Sequence, residues 1–400
     1  MTVTPSESRA RAGHYALQPG GYRAFIPASL PPDPPLRMDG ALLRALSDAD
    51  IALGRLEGAA AILPNTDLFV GMYICQEAVL SSQIEGTQAS LTDLLEFEMG
   101  VRAQRGDSDV GEVVNHVRAM NYGLQRLPEL PLCLRLIREI HEQLLRGVRG
   151  QERQPGEFRR IQNWIGAARV PLAAALFVPP PPDAMTQALG NLERFMHDPE
   201  YPVLLRAGLI HAQFETIHPF LDGNGRVGRM LITFLLCEQG VMSRPLLYLS
   251  HFLRRHRGEY YERLRAIRDE GDWEGWLKFF LRGVKEASGQ ASETARRILA
   301  LREEFRSALA KQGRASGTLL RALDTLFDQP VVGVRSLADR LGVTFASANG
   351  VAERLVQAGV LSEVTGQRRN RLFMFRPYVA LFDSPSRSEK GAPVGESRPS

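Results

Sequence analysis

Apolar side chains recur at helical spacing along most of this chain, which predicts a mainly α-helical protein. Residues 204–217 have apolar side chains at the helical spacing of Leu205, Leu209, Phe214 and Ile217, and a second apolar stripe runs from Val227 to Leu235. The segment between them is polar and contains Gly223 and Gly225, which free the backbone for a tight turn. This pattern predicts two buried helices joined by a short turn, and we place the chemistry of the protein at that turn.

The rest of the chain divides by pattern and composition into five segments. We predict an N-terminal arm and helical region at 1–108, a helical core at 109–287, a connecting helix at 288–312, a winged helix-turn-helix domain at 313–380 and a tail at 381–400. The arm, up to about residue 40, is expected to be extended, because its proline run cannot be helical. The tail is rich in Ser, Pro, Gly and charge, so we expect it to be disordered.

The C-terminal segment reads as three helices, at 319–327, 334–341 and 347–358, followed by two short strands. This order is typical of a winged helix-turn-helix domain. Arg368, Arg369 and Arg371 lie at the turn between the strands, where they suit contact with phosphates. The predicted recognition helix offers few side chains for reading bases. DNA binding and a protein-docking or regulatory role therefore stay open as alternatives.

Composition agrees with a globular protein of two or three domains, since 44% of the 400 residues are hydrophobic and 24% are charged. The net charge of +4 permits nucleic-acid binding without requiring it. Cys75, Cys133 and Cys237 are scattered in apolar surroundings, which indicates free thiols in a reducing compartment. The chain has no signal-like N-terminus and no apolar run of membrane length, so we expect a cytoplasmic protein with no membrane partner.

The turn itself has the sequence HPFLDGNGRVGR, from His218 to Arg229. Arg226 and Arg229 fall in the first turn of the second helix, where the helix dipole disfavours cations unless an anion is bound. Phosphate is the natural anion, because a guanidinium matches its oxygens. Asp222 would repel phosphate unless a divalent cation such as Mg²⁺ lay between them. His218 adds a group that can accept a proton near neutral pH.

This run resembles the signature of the Fic family, and every fixed position of that signature is matched. Most Fic proteins transfer AMP from ATP to a hydroxyl side chain of a protein. The resemblance implies that His218 is the general base, that Asp222 holds Mg²⁺ and that Phe220 anchors the loop. The residues implied to bind the nucleotide phosphates are Gly223, Asn224, Gly225, Arg226 and Arg229. The resemblance also makes 109–287 the helical catalytic core of a Fic fold, which includes a short β-hairpin flap before the signature helix.

A second motif, SSQIEG at Ser81–Gly86, resembles the inhibitory motif of the same family. The preceding residues have helical apolar spacing, and Gly86 suits the end of that helix. The resemblance implies that Glu85, with Ser81 one turn earlier, pairs with Arg229 and competes with the γ-phosphate of ATP. The alternative interpretation is an ordinary surface glutamate near a helix end.

Two further segments fit the resemblance. Residues 158–182 resemble the family's flap, with Trp164–Gly166 and Leu176–Val178 as the two arms, and in the family the flap holds a target as an added strand. A purely structural loop is the alternative. Residues 251–264 resemble the helix with paired tyrosines, so Tyr260 and Tyr261 either line the nucleotide site or pack in the core. We interpret His211 as structural.

The sequence therefore predicts an autoinhibited protein adenylyltransferase that uses ATP and Mg²⁺ and modifies a Ser, Thr or Tyr hydroxyl of a protein, which may include itself. The first alternative is a DNA-binding regulator whose Fic domain senses a nucleotide. The second is an enzyme that removes AMP, in which Glu85 orients the attacking water. The target, the nucleotide preference, the signal that relieves inhibition and the oligomeric state are left open.

Overall fold

The computed structural model describes residues 10–63, 65–98, 108–166, 171–311, 316–366 and 371–382. Over these residues the protein is mainly helical, with small antiparallel sheets. The chain forms two compact units, Met1–Ala295 and Arg296–Ser400. The predicted disordered tail beyond Phe382 and the arginines at 368 and 369 lie outside the described residues.

The first unit contains most of the helices. They are α1 (Gly40–Ala61), α2 (Thr66–Ile84), α3 (Leu91–Glu98), α4 (Ser108–Arg126), α5 (Leu134–Leu145), α6 (Pro182–Met196), α7 (Val203–Ile217), α8 (Asn224–Glu238), α9 (Ser250–Arg255), α10 (Arg257–Glu270) and the first part of α11 (Trp273–Ala310), a helix that continues past Ala295 into the second unit. Short 3-10 turns lie at Gln151–Arg153 and Leu172–Ala174. The residues predicted as one tyrosine-bearing helix form two helices, α9 and α10, because the backbone leaves the helical region at His256.

Helices α7 and α8 form the centre of the first unit, as the apolar pattern predicts. Nearly all residues of both are buried, including polar ones such as Arg206, His211 and Arg229, so both helices are surrounded by other parts of the protein. The absence of a side chain at Gly208 allows α11 to approach α7 closely, since a Cβ there would lie 2.9 Å from Leu277. The Trp276 indole N–H donates to the Gly208 carbonyl at 2.8 Å and fixes this contact. Helix α2 is also a core helix, with buried residues on all sides.

The N-terminal arm contains a β-hairpin that the sequence prediction of an extended segment did not include. Strands β1 (Gly13–Leu17) and β2 (Arg23–Pro27) pair in antiparallel register, with Tyr15 opposite Phe25. The Phe25 N–H donates to the Val178 carbonyl at 2.9 Å, so β2 binds the second predicted arm of the flap. The arms themselves meet at one antiparallel bridge between Ile165 and Phe177.

The second unit contains α12 (Ser316–Leu326), β3 (Val331–Gly333), α13 (Val334–Leu341), α14 (Phe345–Gln357), β4 (Ser362–Glu363), β5 (Leu372–Met374) and α15 (Arg376–Val379). The three strands form an antiparallel sheet in the order β3-β5-β4. The three predicted helices and two predicted strands are present. Strand β3 was not predicted, because three residues are too few to show the alternation of a strand.

Candidate active site

The turn between α7 and α8 begins at a histidine with an unusual backbone. His218 ends α7 in the left-handed region, with φ 50° and ψ 61°, and its N–H donates to the Phe214 carbonyl at 2.9 Å. A non-glycine residue in this conformation stores strain that the surrounding contacts must offset, and such residues often occur at functional sites. The backbone therefore marks the same residue that the sequence marks as a base.

Side-chain bonds within the turn hold it in shape. The Asn224 side chain accepts from the Phe220 N–H at 2.9 Å and donates to the Phe220 carbonyl at 2.8 Å. Gly223 precedes α8 in the left-handed conformation, and its N–H donates to the Asp222 carboxylate at 2.5 Å. Asn224 was predicted as part of a phosphate-binding nest. In the structure its side chain forms both of these hydrogen bonds with Phe220, within the turn itself.

His141 on α5 contacts the turn through Asp222 and Phe220, and this contact was not predicted from the sequence. Its Nδ1 accepts from the Gly156 N–H at 2.9 Å, so the ring proton is on Nε2, which donates to the Asp222 carbonyl at 3.0 Å. The ring stacks on Phe220 at a centroid distance of 3.7 Å. Burial lowers the pKa of His141 to about 4, so the ring is neutral at physiological pH. The only sequence signal was a histidine on the apolar stripe of a predicted helix.

Arg226 is buried between two carboxylates. Its guanidinium lies 3.2 Å from Glu112 on α4 and 3.4 Å from Asp222. Glu112 also forms an ion pair with Arg149 at 3.0 Å. Burial raises the pKa of Glu112, while Arg226 and Arg149 oppose that rise. Glu112 is thus a second residue of the site that sequence reasoning missed, since nothing in its local pattern distinguishes it from an exposed helical glutamate.

Arg229 contacts both predicted residues of the inhibitory motif. Its Nε donates to the Ser81 hydroxyl at 2.8 Å, and its Nη2 donates to the Ser81 carbonyl at 3.0 Å and to Glu85 at 2.8 Å. Burial alone would lower the pKa of Arg229. Glu85, Tyr260 and Glu215 outweigh burial and raise this pKa above its ordinary value. Arg229 is therefore a permanently charged group facing a carboxylate.

Glu85 follows α2 and points into the turn. A Cβ on Gly225 would lie 2.3 Å from the Glu85 carboxylate and 3.0 Å from Arg229, so Glu85 occupies the space that this glycine leaves open at the start of α8. Burial would raise the pKa of Glu85, but the charge of Arg229 and its hydrogen bond outweigh burial and lower it. The start of α8, predicted as a phosphate site, thus holds an ionised carboxylate.

The His218 imidazole lies in a buried and strongly charged environment. Burial, and then the charge of Arg159, lower the pKa of His218 to about 4. Its Nδ1 has no hydrogen-bond partner among the residues that the structure describes. Glu215, one turn earlier on α7, has its pKa raised to about 7 by burial. At neutral pH His218 is therefore unprotonated and able to accept a proton.

The two predicted tyrosines lie in different environments on α10. Tyr260 is buried, and its hydroxyl donates to His211 Nε2 at 2.9 Å, while His211 Nδ1 donates to the Gly228 carbonyl at 2.9 Å. These bonds favour packing for Tyr260 and a structural role for His211. Tyr261 is 46% exposed, and burial and Glu85 raise the pKa of its hydroxyl. Of the two, Tyr261 is the one open to a ligand beside Glu85.

Metal-binding clusters and membrane-spanning helices are both absent from the described residues. These parts of the chain contain no group of three or more His, Cys, Asp or Glu side chains arranged to hold a metal ion. Among the same residues, no helix combines the length and apolarity that a membrane span requires.

The fold and the site define a helical protein in which a carboxylate at the end of one helix pairs with an arginine beside the turn between two buried helices. Residues 43–125 match the Fic/DOC family N-terminal model, and residues 131–236 match the Fic/DOC family model. These two segments thus match the Fic/DOC family, as the resemblance of the motifs predicted.

Relatives and solved structures agree with this assignment. Protein adenylyltransferase Fic of Aedes aegypti is 30% identical over 246 residues, which are 59% of this chain and 43% of that protein. Protein adenylyltransferase Fic of Drosophila willistoni is 28% identical over 289 residues, 70% of this chain and 50% of that protein. The chain thus spans half or less of the length of these relatives. A Fic family protein from Desulfovibrio desulfuricans G20 has the same fold, with a TM-score of 0.53 at 18% identity over 85% of this chain and 97% of that chain.

Proposed function

We propose that this protein is an autoinhibited adenylyltransferase that moves AMP from ATP to a Ser, Thr or Tyr hydroxyl of a protein. The observation that carries the proposal is the position of Glu85, which pairs with Arg229 at 2.8 Å against the α-carbon of Gly225. A helix start with two arginines binds phosphate well, and here a carboxylate takes the place of that anion. The similarity to proteins named protein adenylyltransferase supports the same activity.

In the proposed reaction, the γ-phosphate of ATP displaces Glu85 from Arg229. Arg226 neutralises charge on the phosphates. The unprotonated His218 accepts the proton of the target hydroxyl as that oxygen attacks the α-phosphorus. The new oxygen–phosphorus bond forms as the bond from the α-phosphorus to the bridging oxygen breaks, and pyrophosphate leaves. Positioning and charge neutralisation supply most of the catalysis in such transfers.

Asp222 is the residue that would hold Mg²⁺, and its surroundings fit that cation. One carboxylate oxygen accepts from the Gly223 N–H, and the other has no hydrogen-bond partner among the described residues. Mg²⁺ is commonly bound by one or two carboxylates, with phosphate and water as its other ligands. When bound, the cation would neutralise phosphate charge that Asp222 otherwise repels.

The test is transfer of label from α-labelled ATP with Mg²⁺, using wild type, Glu85→Gly and Glu85→Gly/His218→Ala in parallel. We expect little label from wild type, strong label from Glu85→Gly and none from the double variant, on the protein itself or on a lysate protein. No label from Glu85→Gly, with ATP binding intact, would refute the transferase. Faster loss of AMP from a pre-labelled protein with wild type than with Glu85→Gly would favour the reverse reaction.

The flap is proposed to hold the target protein. Its residues include a set of exposed apolar side chains: Ile161, Trp164, Ile165 and Leu176. Exposed apolar side chains grouped on one short segment are typical of protein-binding sites. We expect Leu176→Asp to reduce protein labelling without weakening ATP binding, whereas Leu43→Asp, at an exposed leucine of α1, should change neither. Equal effects of the two substitutions would argue against target docking at the flap.

A second function, DNA binding by a C-terminal winged helix, is supported by charge. Residues 296–400 contain 17 Lys and Arg against 10 Asp and Glu, whereas residues 1–295 contain 32 against 35, so the net charges are +7 and −3. The positive charge of the chain therefore lies in the second unit, as phosphate binding requires. Arg354 is exposed on α14, the proposed recognition helix.

The DNA proposal predicts salt-dependent binding of a labelled duplex by the full chain. We expect Arg354→Ala to lower the slope of the logarithm of affinity against the logarithm of salt concentration by about one. Arg153→Ala, at an exposed arginine of the first unit, should leave that slope unchanged. No salt-dependent binding would leave a protein-docking role for the second unit.

The proposed location is the cytoplasm. Cys75, Cys133 and Cys237 are all free thiols, and burial raises the pKa of Cys75 and Cys237 to about 12. Free thiols that form no disulfide suit a reducing compartment. Fractionation of cells that express the chain would test this location.

A further inference from the structure

Arg159 is a buried cation that binds backbone carbonyls on both the flap and the catalytic turn. Arg159 is only 1% exposed to solvent. The Nε donates to the His218 carbonyl at 3.0 Å, and the Nη2 donates to the Pro180 carbonyl at 2.5 Å and to the Ile217 carbonyl at 3.4 Å. The Nη1 donates to the Ile161 carbonyl at 3.2 Å. One guanidinium thus joins the end of α7 to both stems of the flap.

The charge of Arg159 has no carboxylate partner among the described residues, which is unusual for a buried guanidinium. Burial lowers the pKa of Arg159 to about 10, and the group still remains protonated at neutral pH. A buried charge without a counter-ion is costly, so its hydrogen bonds must offset that cost. Every bond it donates goes to a carbonyl, and two of those carbonyls, at 217 and 218, are left without helical partners where α7 ends.

The end of a helix carries partial negative charge, so a cation there is stabilised even without a carboxylate. Because His218 adopts a left-handed backbone, its carbonyl turns away from α7 and needs a donor from elsewhere in the chain. Asn163 supplies a second donor, with its amide 3.3 Å from the His218 carbonyl and 3.0 Å from the Phe220 carbonyl. The Arg159 N–H also donates to the Pro219 carbonyl at 2.9 Å. The flap stem therefore contacts four successive carbonyls, from Ile217 at the end of α7 to Phe220 in the turn.

We propose that Arg159 is the positioning residue for the proposed base His218, and that it fixes the position of the flap relative to this base. The proposal rests on the function proposed above, because it assigns the orientation of a base and of a target-docking segment. A target strand bound at the flap would then be placed relative to His218 chiefly through the Arg159 side chain, which bonds to both stems of the flap. Arg159 touches neither substrate nor reacting atoms, so it acts only through His218 and the flap.

The test uses the full chain carrying Glu85→Gly, with Arg159→Gln and Arg159→Lys compared against Arg160→Gln. Arg160 is the exposed neighbour and serves as the matched control. We expect Arg159→Gln to lower kcat for AMP transfer by about a hundredfold, because small misplacements of reacting groups have effects of that size. The dissociation constant of ATP should change little, because no Arg159 bond reaches the turn residues Asp222–Arg229.

The pH dependence separates positioning from a loss of folding. The charge of Arg159 lowers the pKa of His218, so Arg159→Gln should move the acid limb of kcat/KM to higher pH. Arg159→Lys keeps the charge but loses the planar fork, so it should lower kcat without moving that limb. A merely structural residue would not produce this split between the two variants.

An NMR titration of the His218 ring gives a readout that does not depend on activity. In Arg159→Gln the ring should titrate at higher pH than in the parent, while Arg160→Gln should match the parent. If Glu85→Gly itself transfers no AMP, the proposed function fails and this titration still decides the role of Arg159. Equal kcat, equal acid limbs and equal His218 titration in Arg159→Gln and Arg160→Gln would overturn the proposal. Should Arg159→Gln not fold, Asn163→Ala replaces it, with the same expected loss of kcat.

Discussion

Glu85 and Arg229 form an ion pair whose two members differ in access to solvent. The Arg229 side chain is 2% exposed and held by two further bonds to Ser81, whereas the Glu85 side chain is 35% exposed. The arginine is therefore a fixed part of the site, and the carboxylate is the member that can leave. A phosphate arriving at the start of α8 would meet an arginine already in place and compete only with Glu85.

The first prediction concerns the release of this ion pair. Glu85→Gly should raise AMP transfer at least about tenfold, the scale of a coupling free energy of 1–3 kcal/mol. Ser81→Ala removes only the hydroxyl bond to Arg229 and keeps the carbonyl bond, so it should change transfer by much less. The measurement is the initial rate of label transfer at matched ATP concentration. If Ser81→Ala activates as strongly as Glu85→Gly, the position of Arg229 and not competition at its guanidinium controls the rate.

The second prediction concerns Glu77, which lies buried on α2 and accepts from the Ser250 N–H at 3.2 Å and from the Ser250 hydroxyl. Burial raises the pKa of Glu77 from 4.5 to about 7, although Ser250 and Arg229 oppose the rise. A raised folded-state pKa gives stability that is fully present below the unfolded value and is lost as pH rises through the folded value. Ionisation of Glu77 should therefore contribute a loss of about 3 kcal/mol of unfolding free energy between those two pKa values.

Glu77→Gln cannot ionise, so it should lack this loss. Urea unfolding should be measured at about pH 5 and about pH 8. The free energy of unfolding of the variant, relative to that of the wild type, should be higher at the higher pH. Glu262→Gln, at an exposed position of α10, provides the control and should follow the wild type at both pH values. A wild-type and Glu77→Gln difference that is the same at both pH values would show that Glu77 ionises freely in the folded protein.

How much of this site is predictable from sequence depends on which residues carry a recognisable pattern. Glu85 and Arg229 lie 144 residues apart, and no hydrophobic period connects them. Their pairing was predictable because each lies in a dense local motif resembling one family. The helix pair around the turn was predictable from apolar spacing alone, because α7 and α8 are buried on nearly all faces.

Other residues that hold the site had no such signal. His141, Glu112 and Arg159 are buried polar groups whose partners are mainly backbone carbonyls or charges from distant segments. In the sequence each looks like an ordinary polar residue of a helix or loop. Their contacts distinguish them: each lies close to a backbone carbonyl without a helical partner or to a buried arginine. These groups come together only once the helices pack.

The third prediction concerns Glu112, the buried partner of Arg226. Glu112→Ala leaves Arg226 with Asp222 as its remaining carboxylate, and removal of one member of a buried ion pair costs about 3–5 kcal/mol. We expect that loss in the free energy of unfolding, together with weaker ATP binding, because the guanidinium is no longer held in place. Arg149→Ala removes the other, 58% exposed partner of Glu112 and should cost about 1 kcal/mol or less. Equal destabilisation by the two substitutions would mean that Glu112 is held mainly by Arg149.

The fourth prediction compares two helical glycines and tests the packing beneath the site. A Cβ on Gly123 of α4 would lie 2.4 Å from the ring of Phe234, a buried residue of α8, whereas a Cβ on Gly58 of α1 would meet nothing within 4 Å. Gly123→Ala should therefore destabilise the protein by about 1–3 kcal/mol, the usual cost of overpacking a core. Gly58→Ala should stabilise it by about 0.5–1 kcal/mol, because alanine loses less conformational entropy in a helix. Since α8 begins at the turn of the candidate site, Gly123→Ala should also lower AMP transfer in the Glu85→Gly background, and Gly58→Ala should not. Unfolding midpoints and transfer rates measured on the same preparations check both statements, and a Gly123→Ala variant as stable and active as Gly58→Ala would show that α4 can move away from α8 without disturbing the turn.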